Sequence, residues 1–128
     1  MKSVKIFASF SGATAKTVIA PIYVDTKIKV DDGIYKIPKG YRLRVFEIDF
    51  EADGETRLFI EVSFDAGATW RDDKTVKLAS KGHIARTYRF PHLIEAVESD
   101  YHVRLSYVQP TALAGNISLH GELAKLEE

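Results

Sequence analysis

Apolar and polar residues alternate along most of the chain with a period of two. In the first such stretch Val4, Ile6 and Ala8 alternate with polar neighbours such as Lys5 and Ser9. This period is typical of β-strands with one buried and one exposed face. It recurs between turn residues, and it predicts strands at residues 4–10, 22–30, 34–37, 41–52, 57–64, 76–78, 84–90, 101–108 and 117–123.

Two places interrupt the alternation. Within residues 41–52 the apolar parity changes near Val45 and Phe46, which predicts a β-bulge there. Pro91 is expected to end the strand before it, because proline cannot donate a ladder hydrogen bond. Residues 93–98, just after it, are the one segment predicted to form a helical turn.

Eight or nine short strands with turns at near-regular intervals predict an all-β fold. We expect an antiparallel two-sheet β-sandwich of the jelly-roll type, and an immunoglobulin-like sandwich is the alternative. The chain has 128 residues and a mass of 14.4 kDa, which suits a single domain spanning residues 1–128. The sequence contains no internal repeat, so a complete propeller is not expected.

Composition and charge exclude several classes of function. There is no cysteine, which excludes disulfides, thiolate metal sites and cysteine nucleophiles. The 18 basic and 18 acidic residues give a formal net charge of zero, so no nucleic acid or anionic membrane is expected as a partner. The apolar start of the chain is interrupted by Lys5, so no signal peptide is predicted. No transmembrane segment is predicted either, and the compartment stays unknown.

The segment Ser63–Trp70 has the strongest local signature in the chain. Asp65 can accept hydrogen bonds from amides of its own turn, Gly67 can adopt a left-handed conformation, and Trp70, the only tryptophan, can pack beneath the turn. The pattern S-x-D-x-G-x-T-W, which includes Ser63 and Thr69, resembles the Asp box of sialidases and other BNR-repeat propellers. The resemblance implies a structural β-hairpin without any catalytic role.

The remaining polar residues show no pattern typical of an active site or a metal site. The four histidines, His83, His92, His102 and His120, lack the spacing that places two imidazoles on one metal. Of these, His102 and His120 are predicted to lie on neighbouring strands, where they could form a cross-strand polar pair. The paired aspartates at 31–32 and 72–73 do not match a calcium loop. We therefore expect no enzyme, no metal and no cofactor.

Several apolar residues fall on positions that the alternation assigns to the solvent side. In the strand at 57–64, for example, Leu58 and Phe64 are predicted to point inward, and Phe59 and Glu61 outward. Burial against another subunit would explain such residues, so a homo-oligomer is predicted, with a trimer as the favoured form. The candidate interface residues are Phe7, Tyr23, Phe59 and Val108 on strands, and Leu113 in the loop after residue 108.

These observations favour a non-enzymatic structural protein that acts by assembly. The strand pattern and the loop before the last strand are similar to those of jelly-roll decoration proteins of phage and viral capsids. That resemblance implies an accessory subunit of a larger particle, located in the virion. The alternative is a carbohydrate-binding module that would bind a glycan by stacking on exposed aromatic rings; the candidates are Tyr35, Tyr41, Trp70, Tyr88 and Tyr101.

Overall fold

The chain forms antiparallel β-strands joined by short turns. The structure, a computed structural model, describes residues 2–127, and of residues 86–91 it describes the backbone alone. The strands are β1 (Lys2–Phe10), β2 (Thr17–Val18), β3 (Ile22–Val24), β4 (Ile28–Val30), β5 (Tyr35–Ile37), β6 (Tyr41–Ala52), β7 (Thr56–Ser63), β8 (Arg71–Leu78), β9 (Gly82–Ala96), β10 (Tyr101–Val108) and β11 (Gly115–Lys125). Residues 2–127 contain no helix long and apolar enough to cross a membrane.

The strands form two antiparallel sheets that pack as a β-sandwich. The six-stranded sheet has the order β4-β3-β1-β11-β6-β9; in the five-stranded sheet the order is β2-β10-β7-β8, and β5 also pairs with β10. If the short strands β2, β3 and β4 are set aside, the first strand pairs with the last in one sheet, and the second with the second-last in the other. This is the jelly-roll order, so the predicted fold class is confirmed and the immunoglobulin-like alternative is wrong.

The core lies between the two sheets and takes one residue in two from each long strand. Leu43, Ile48 and Phe50 on β6 face Leu58 and Ile60 on β7, and each of them is at most 1% exposed. Burial of side chains of this size contributes about 1.5–3 kcal/mol each. The inward faces of β1, β10 and β11 follow the predicted alternation, and the same core includes Ile6, Val24, Val62, Val76, Ile94, Val103, Leu105, Ile117 and Leu119.

The predicted strand at residues 22–30 is wrong in one respect, because the segment is a hairpin. Asp25 and Thr26 have φ angles of 53° and 63°, and they reverse the chain between β3 and β4. The Asp25 amide donates to the Lys5 carbonyl at 2.8 Å, and the Asp25 carboxylate accepts from the Lys5 amide at 2.9 Å. These two bonds to β1 hold the turn, and an aspartate tolerates the left-handed region better than most residues do.

The predicted end of a strand at Pro91 and the helical turn at 93–98 are also wrong. Strand β9 continues to Ala96. Val45 of β6 pairs with His92 and Glu47 pairs with Thr87, so residues 88–91 are left out of the ladder. Proline is tolerated there because it lies at a bulge on an edge strand, where no hydrogen bond is lost. The same register shift confirms the bulge predicted near Val45 and Phe46.

Candidate interaction surface

An aromatic pair lies on the outer face of the six-stranded sheet. Phe7 on β1 and Tyr23 on β3 are direct partners in the ladder, and their rings stack with centroids 5.5 Å apart and an interplanar angle of 20°. Their neighbours Ile6 and Val24 are buried in the core, so the alternation directs the two rings outward. Tyr23 is 36% exposed and Phe7 is half-buried. Both residues are therefore on the outward face that the sequence predicted.

Two shallow grooves border the aromatic pair. One has a volume of about 290 Å³ and runs between Phe7, Pro21 and Tyr23. The other, of about 350 Å³, lies on the opposite side of Phe7 and is lined by Lys5, Thr26 and neighbouring residues. Phe7 is thus a ridge between two depressions, a shape that a complementary surface can fill. We call Phe7, Tyr23 and the two grooves the aromatic surface.

The other candidate interface residues are not part of the aromatic surface. Phe59 lies on the outward side of β7, as predicted, but it is only 9% exposed because the Lys16 ammonium covers its ring at 4.2 Å. Val108 is half-buried at the end of β10, beside a cavity of about 280 Å³. Leu113 lies in the following loop, where the Gln109 side chain bonds its amide and its carbonyl at 3.0 and 2.9 Å. Of the five candidates, the structure brings only Phe7 and Tyr23 together.

Sequence reasoning missed several exposed apolar residues. Phe64 was predicted to point inward, and this is wrong: it is 41% exposed because β7 ends at Ser63 and the chain turns there. Phe46 is 37% exposed because it occupies the bulge of β6. The other exposed large apolar residues among those described are Ile28, Leu93 and Val97. The exposure of Phe64 could have been predicted from the end of its strand, and that of Phe46 from the bulge in its strand.

Asp65 organises the turn between β7 and β8. One carboxylate oxygen accepts the Thr69 amide at 2.9 Å, and the other accepts the Thr69 hydroxyl at 2.5 Å. The same carboxylate also accepts the Ser63 hydroxyl at 2.8 Å. These hydrogen bonds, chiefly those from Thr69, lower the pKa of the Asp65 carboxyl to about 2 from its ordinary value of 3.8. Asp65 therefore accepts amides of its own turn, as the sequence predicted.

The rest of the turn packs around Gly67 and Trp70. Gly67 has a φ of 90°, its amide donates to the Ser63 hydroxyl at 2.9 Å, and its carbonyl accepts the Trp70 indole N–H at 3.1 Å. The Arg104 guanidinium lies 4.1 Å from the centre of the Trp70 ring. The indole is therefore engaged on its polar edge and on one face, which leaves less of it available for stacking with a sugar.

A polar cluster occupies the middle of the six-stranded sheet, on the same outer face as the aromatic surface. Glu47 and Asp49 are two residues apart on β6, and Glu47 pairs across the ladder with His120 of β11. His83 of β9 contacts Asp49, with Nε2 2.7 Å from Oδ1. Hydrogen bonds with Glu47 and then His83 lower the pKa of the Asp49 carboxyl. We call Glu47, Asp49, His83 and His120 the histidine–carboxylate cluster.

No pattern in the sequence predicted this cluster, because its members come together through non-local strand pairing. The predicted pairing of His102 with His120 is wrong: His102 lies on β10 in the five-stranded sheet and pairs with Ser63. The remaining histidine, His92, contacts Asp73 of β8 at 2.5 Å. His120 pairs with Glu47, and Asp49 follows Glu47 by two residues on the same strand. This grouping can be recognised only once the strand order is known.

A cleft with both polar and apolar walls lies at one end of the sandwich. Its volume is about 550 Å³, and its lining includes Glu51, Asp53, Lys81 and Asn116. The aromatic residue in its wall, Phe10, is 7% exposed and belongs to the core. Of the aromatic residues proposed for sugar stacking, Tyr35, Tyr41, Trp70 and Tyr101 do not line it, and the side chain of Tyr88 lies outside the part of the chain that the structure describes. The cleft therefore lacks the exposed ring on which a glycan would stack.

Comparison with known proteins identifies the fold. The sequence matches no protein-family model and no curated protein. The globular domain of the zebrafish complement 1qA protein aligns with 95% of this chain and 96% of its own, with a TM-score of 0.56 and 9% identity. A Bacillus endospore appendage, from a family of disulfide-linked pili, aligns with 98% of this chain and 91% of its own, with a TM-score of 0.51 and 10% identity. At these identities the likeness shows the fold alone.

Proposed function

We propose that the protein is a non-enzymatic assembly subunit that binds further copies of itself through the aromatic surface. The observation that carries this proposal is the stacked pair of Phe7 and Tyr23 on the outer face of the six-stranded sheet, between two grooves. Aromatic residues in the centre of a contact, surrounded by polar groups, are the usual anchors of protein interfaces. Lys5 and Lys29 lie beside the pair and supply such a polar rim.

The five-stranded sheet offers a weaker surface for the same purpose. Its outward aromatic residue, Phe59, is already covered by Lys16, and Trp70 is covered by Arg104. These cation–π contacts satisfy the rings within the chain. Phe7 and Tyr23 contact each other, the Lys5 ammonium lies over the Phe7 ring at the longer distance of 5.9 Å, and Tyr23 stays 36% exposed. For that reason we assign self-association to the six-stranded sheet.

The fold supports a role in a larger particle. One structure that aligns with the chain is a pilus protein, and its family is described as disulfide-linked. This chain has no cysteine, so any assembly that it forms is held without disulfides. We propose an accessory or decoration subunit, with a trimer as its closed form and a virion as one such particle. In the same proposal, the turn at Ser63–Trp70 is a single Asp-box hairpin with a folding role.

The test is the native mass, measured by light scattering after size exclusion over a wide range of dilution. The wild-type chain is expected to form a closed oligomer, and Phe7→Ser with Tyr23→Ser is expected to yield monomers with an unchanged circular dichroism spectrum. Phe46→Ser is the matched control, because Phe46 is 37% exposed on the same sheet but is not part of the aromatic surface. We expect the control to keep the wild-type mass.

Two results would contradict the proposal. The first is a wild-type chain that is monomeric at every concentration, and the second is a double variant that keeps the wild-type mass. A monomeric wild type would leave the stacked rings available for a glycan. The carbohydrate-binding alternative would then be tested by titrating oligosaccharides and following the fluorescence of Tyr23 and the other tyrosines.

A further inference from the structure

The histidine–carboxylate cluster has the composition and spacing of a cation site. Donor atoms of Glu47, Asp49 and His120 all lie within 4.8 Å of one another, and all three side chains are half-buried. They come from two neighbouring strands of a rigid sheet. Glu47 and His120 are direct ladder partners, and Asp49 is the next outward residue on β6. The backbone therefore fixes the positions of all three Cβ atoms.

The arrangement of charge at this site favours a cation. Donor oxygens of Glu47 and Asp49 lie within 4.8 Å of each other. When both carboxyl groups are ionised at such a distance they repel each other, and a cation between them removes the repulsion. The nearest lysine in the ladder, Lys5, lies opposite His120, but its ammonium lies over the Phe7 ring with 5.9 Å to the centroid. Lys5 is therefore directed toward the aromatic surface.

A fourth residue, His83, holds the Asp49 carboxylate. Its Nε2 lies 2.7 Å from one oxygen of Asp49, which leaves the other oxygen outside this contact. Ser118, whose hydroxyl lies 3.4 Å from His120 Nε2, is the ladder partner of Asp49 and borders the site on β11. Outer residues that hold metal ligands in this way commonly change the metal affinity 10- to 100-fold.

We propose that Glu47, Asp49 and His120 bind a zinc ion, and that His83 positions Asp49 for it. An imidazole and two carboxylates match the ligands of zinc, which takes nitrogen and oxygen donors at about 2.0–2.2 Å in a tetrahedron. Three protein ligands leave the fourth position to water. Calcium and magnesium prefer sites made of oxygen atoms alone, so the imidazole disfavours both ions. The site does not depend on self-association, because a single chain supplies all of its ligands.

Isothermal titration with zinc chloride in a buffer that does not chelate metals tests the site. The wild-type chain is expected to bind one zinc ion, and His120→Ala is expected to weaken binding by at least about 100-fold, because it removes a ligand. For His83→Ala we expect a loss of about 10- to 100-fold, since this residue acts through Asp49. His102→Ala is the matched control: it removes a half-buried histidine from the other sheet and is expected to bind zinc like the wild type.

The same titration is repeated on the double variant of Phe7 and Tyr23, so that loss of assembly and loss of the metal site are separated. The proposal is overturned if the wild type does not bind zinc at millimolar concentration. It is also overturned if folded His120→Ala binds zinc as tightly as the wild type, or if calcium or magnesium binds as tightly as zinc. Circular dichroism of each variant shows whether it is folded. If His120→Ala loses zinc binding while folded His83→Ala binds zinc like the wild type, His120 is confirmed as a ligand and the positioning role of His83 is rejected.

Discussion

Glu61 is the most deeply buried charged side chain that the structure describes, and it allows a sharp test of the packing of the five-stranded sheet. The residue is 4% exposed on the outer side of β7. Its carboxylate accepts the Ser106 hydroxyl at 2.5 Å and the Arg104 guanidinium at 3.1 Å, and Lys16 lies 3.5 Å away. The sequence predicted an outward position, and the structure adds that neighbouring side chains cover it.

We predict that Glu61→Ala destabilises the fold by about 2–3 kcal/mol. Removing one member of a buried ion pair typically costs about 3–5 kcal/mol. The cost here is lower because the Arg104 and Lys16 side chains are 24% and 41% exposed and can turn toward water. Ser106, at 1% exposed, has no such freedom, and its hydroxyl loses its acceptor. An unsatisfied buried hydroxyl accounts for about 1–3 kcal/mol of the total.

The assay is equilibrium unfolding in urea, followed by the fluorescence of Trp70, which lies 4.1 Å from Arg104. With a urea dependence of about 1–3 kcal/mol per molar, the expected cost lowers the midpoint by about 0.7–3 M. Asp72→Ala is the matched control. Asp72 binds the same Lys16 at 2.7 Å, but its side chain is 46% exposed, and such pairs contribute about 0–1 kcal/mol. Equal midpoints for the two variants would refute the argument from burial.

Three further predictions concern the turn at Ser63–Trp70 and one glycine of β11. Gly67→Val should cost about 1–2 kcal/mol, since Gly67 has a φ of 90°; Gly67→Asn, which tolerates that region better, should cost less in urea unfolding. Because the pKa of Asp65 falls from 3.8 to about 2 on folding, its contribution to stability is complete above pH 4 and is lost as the pH falls toward 2. The melting temperature of the wild type should therefore fall across this interval more steeply than that of Asp65→Asn, and parallel curves would contradict this. Gly115→Ala should cost about 1–3 kcal/mol, because the new Cβ would lie 2.4 Å from the ring of Phe10 and 2.5 Å from the backbone carbonyl oxygen of Glu51; an unchanged midpoint would contradict this.

The long strands could be predicted from the sequence because each has one face in the core. Burial of every second residue produces the alternation directly, as in β1, β6 and β10. The hairpin of β3 and β4 could not be predicted in this way. Ile28 keeps the parity of Val24, but the turn depends on two left-handed residues and on bonds to Lys5, which is distant in sequence. Pro91 misled the prediction because its effect depends on whether the strand is central or at an edge.

Residues of the functional surfaces could be predicted only where the alternation within a single strand identifies them as outward-facing. Phe7 and Tyr23 each stood out on its own strand, and the ladder then placed them side by side. Phe59 stood out for the same reason, yet Lys16, from a loop far along the chain, covers it. The cluster of Glu47 with His120 depends on the pairing of β6 with β11, and this pairing joins residues that are 73 positions apart. Local patterns show which residues point outward, and strand order decides which of them meet.

The two outer faces of the sandwich differ in how far their side chains satisfy one another. On the five-stranded sheet, Glu61 is held by Arg104, and Arg104 also covers Trp70, so the charges and rings of that face are used within the chain. On the six-stranded sheet, Tyr23 is 36% exposed, and donor oxygens of Glu47 and Asp49 lie within 4.8 Å of each other. Apolar rings and like charges, which fold stability alone would bury or separate, lie side by side there and are at most half-buried. This contrast is the physical reason for assigning both self-association and zinc binding to the six-stranded sheet.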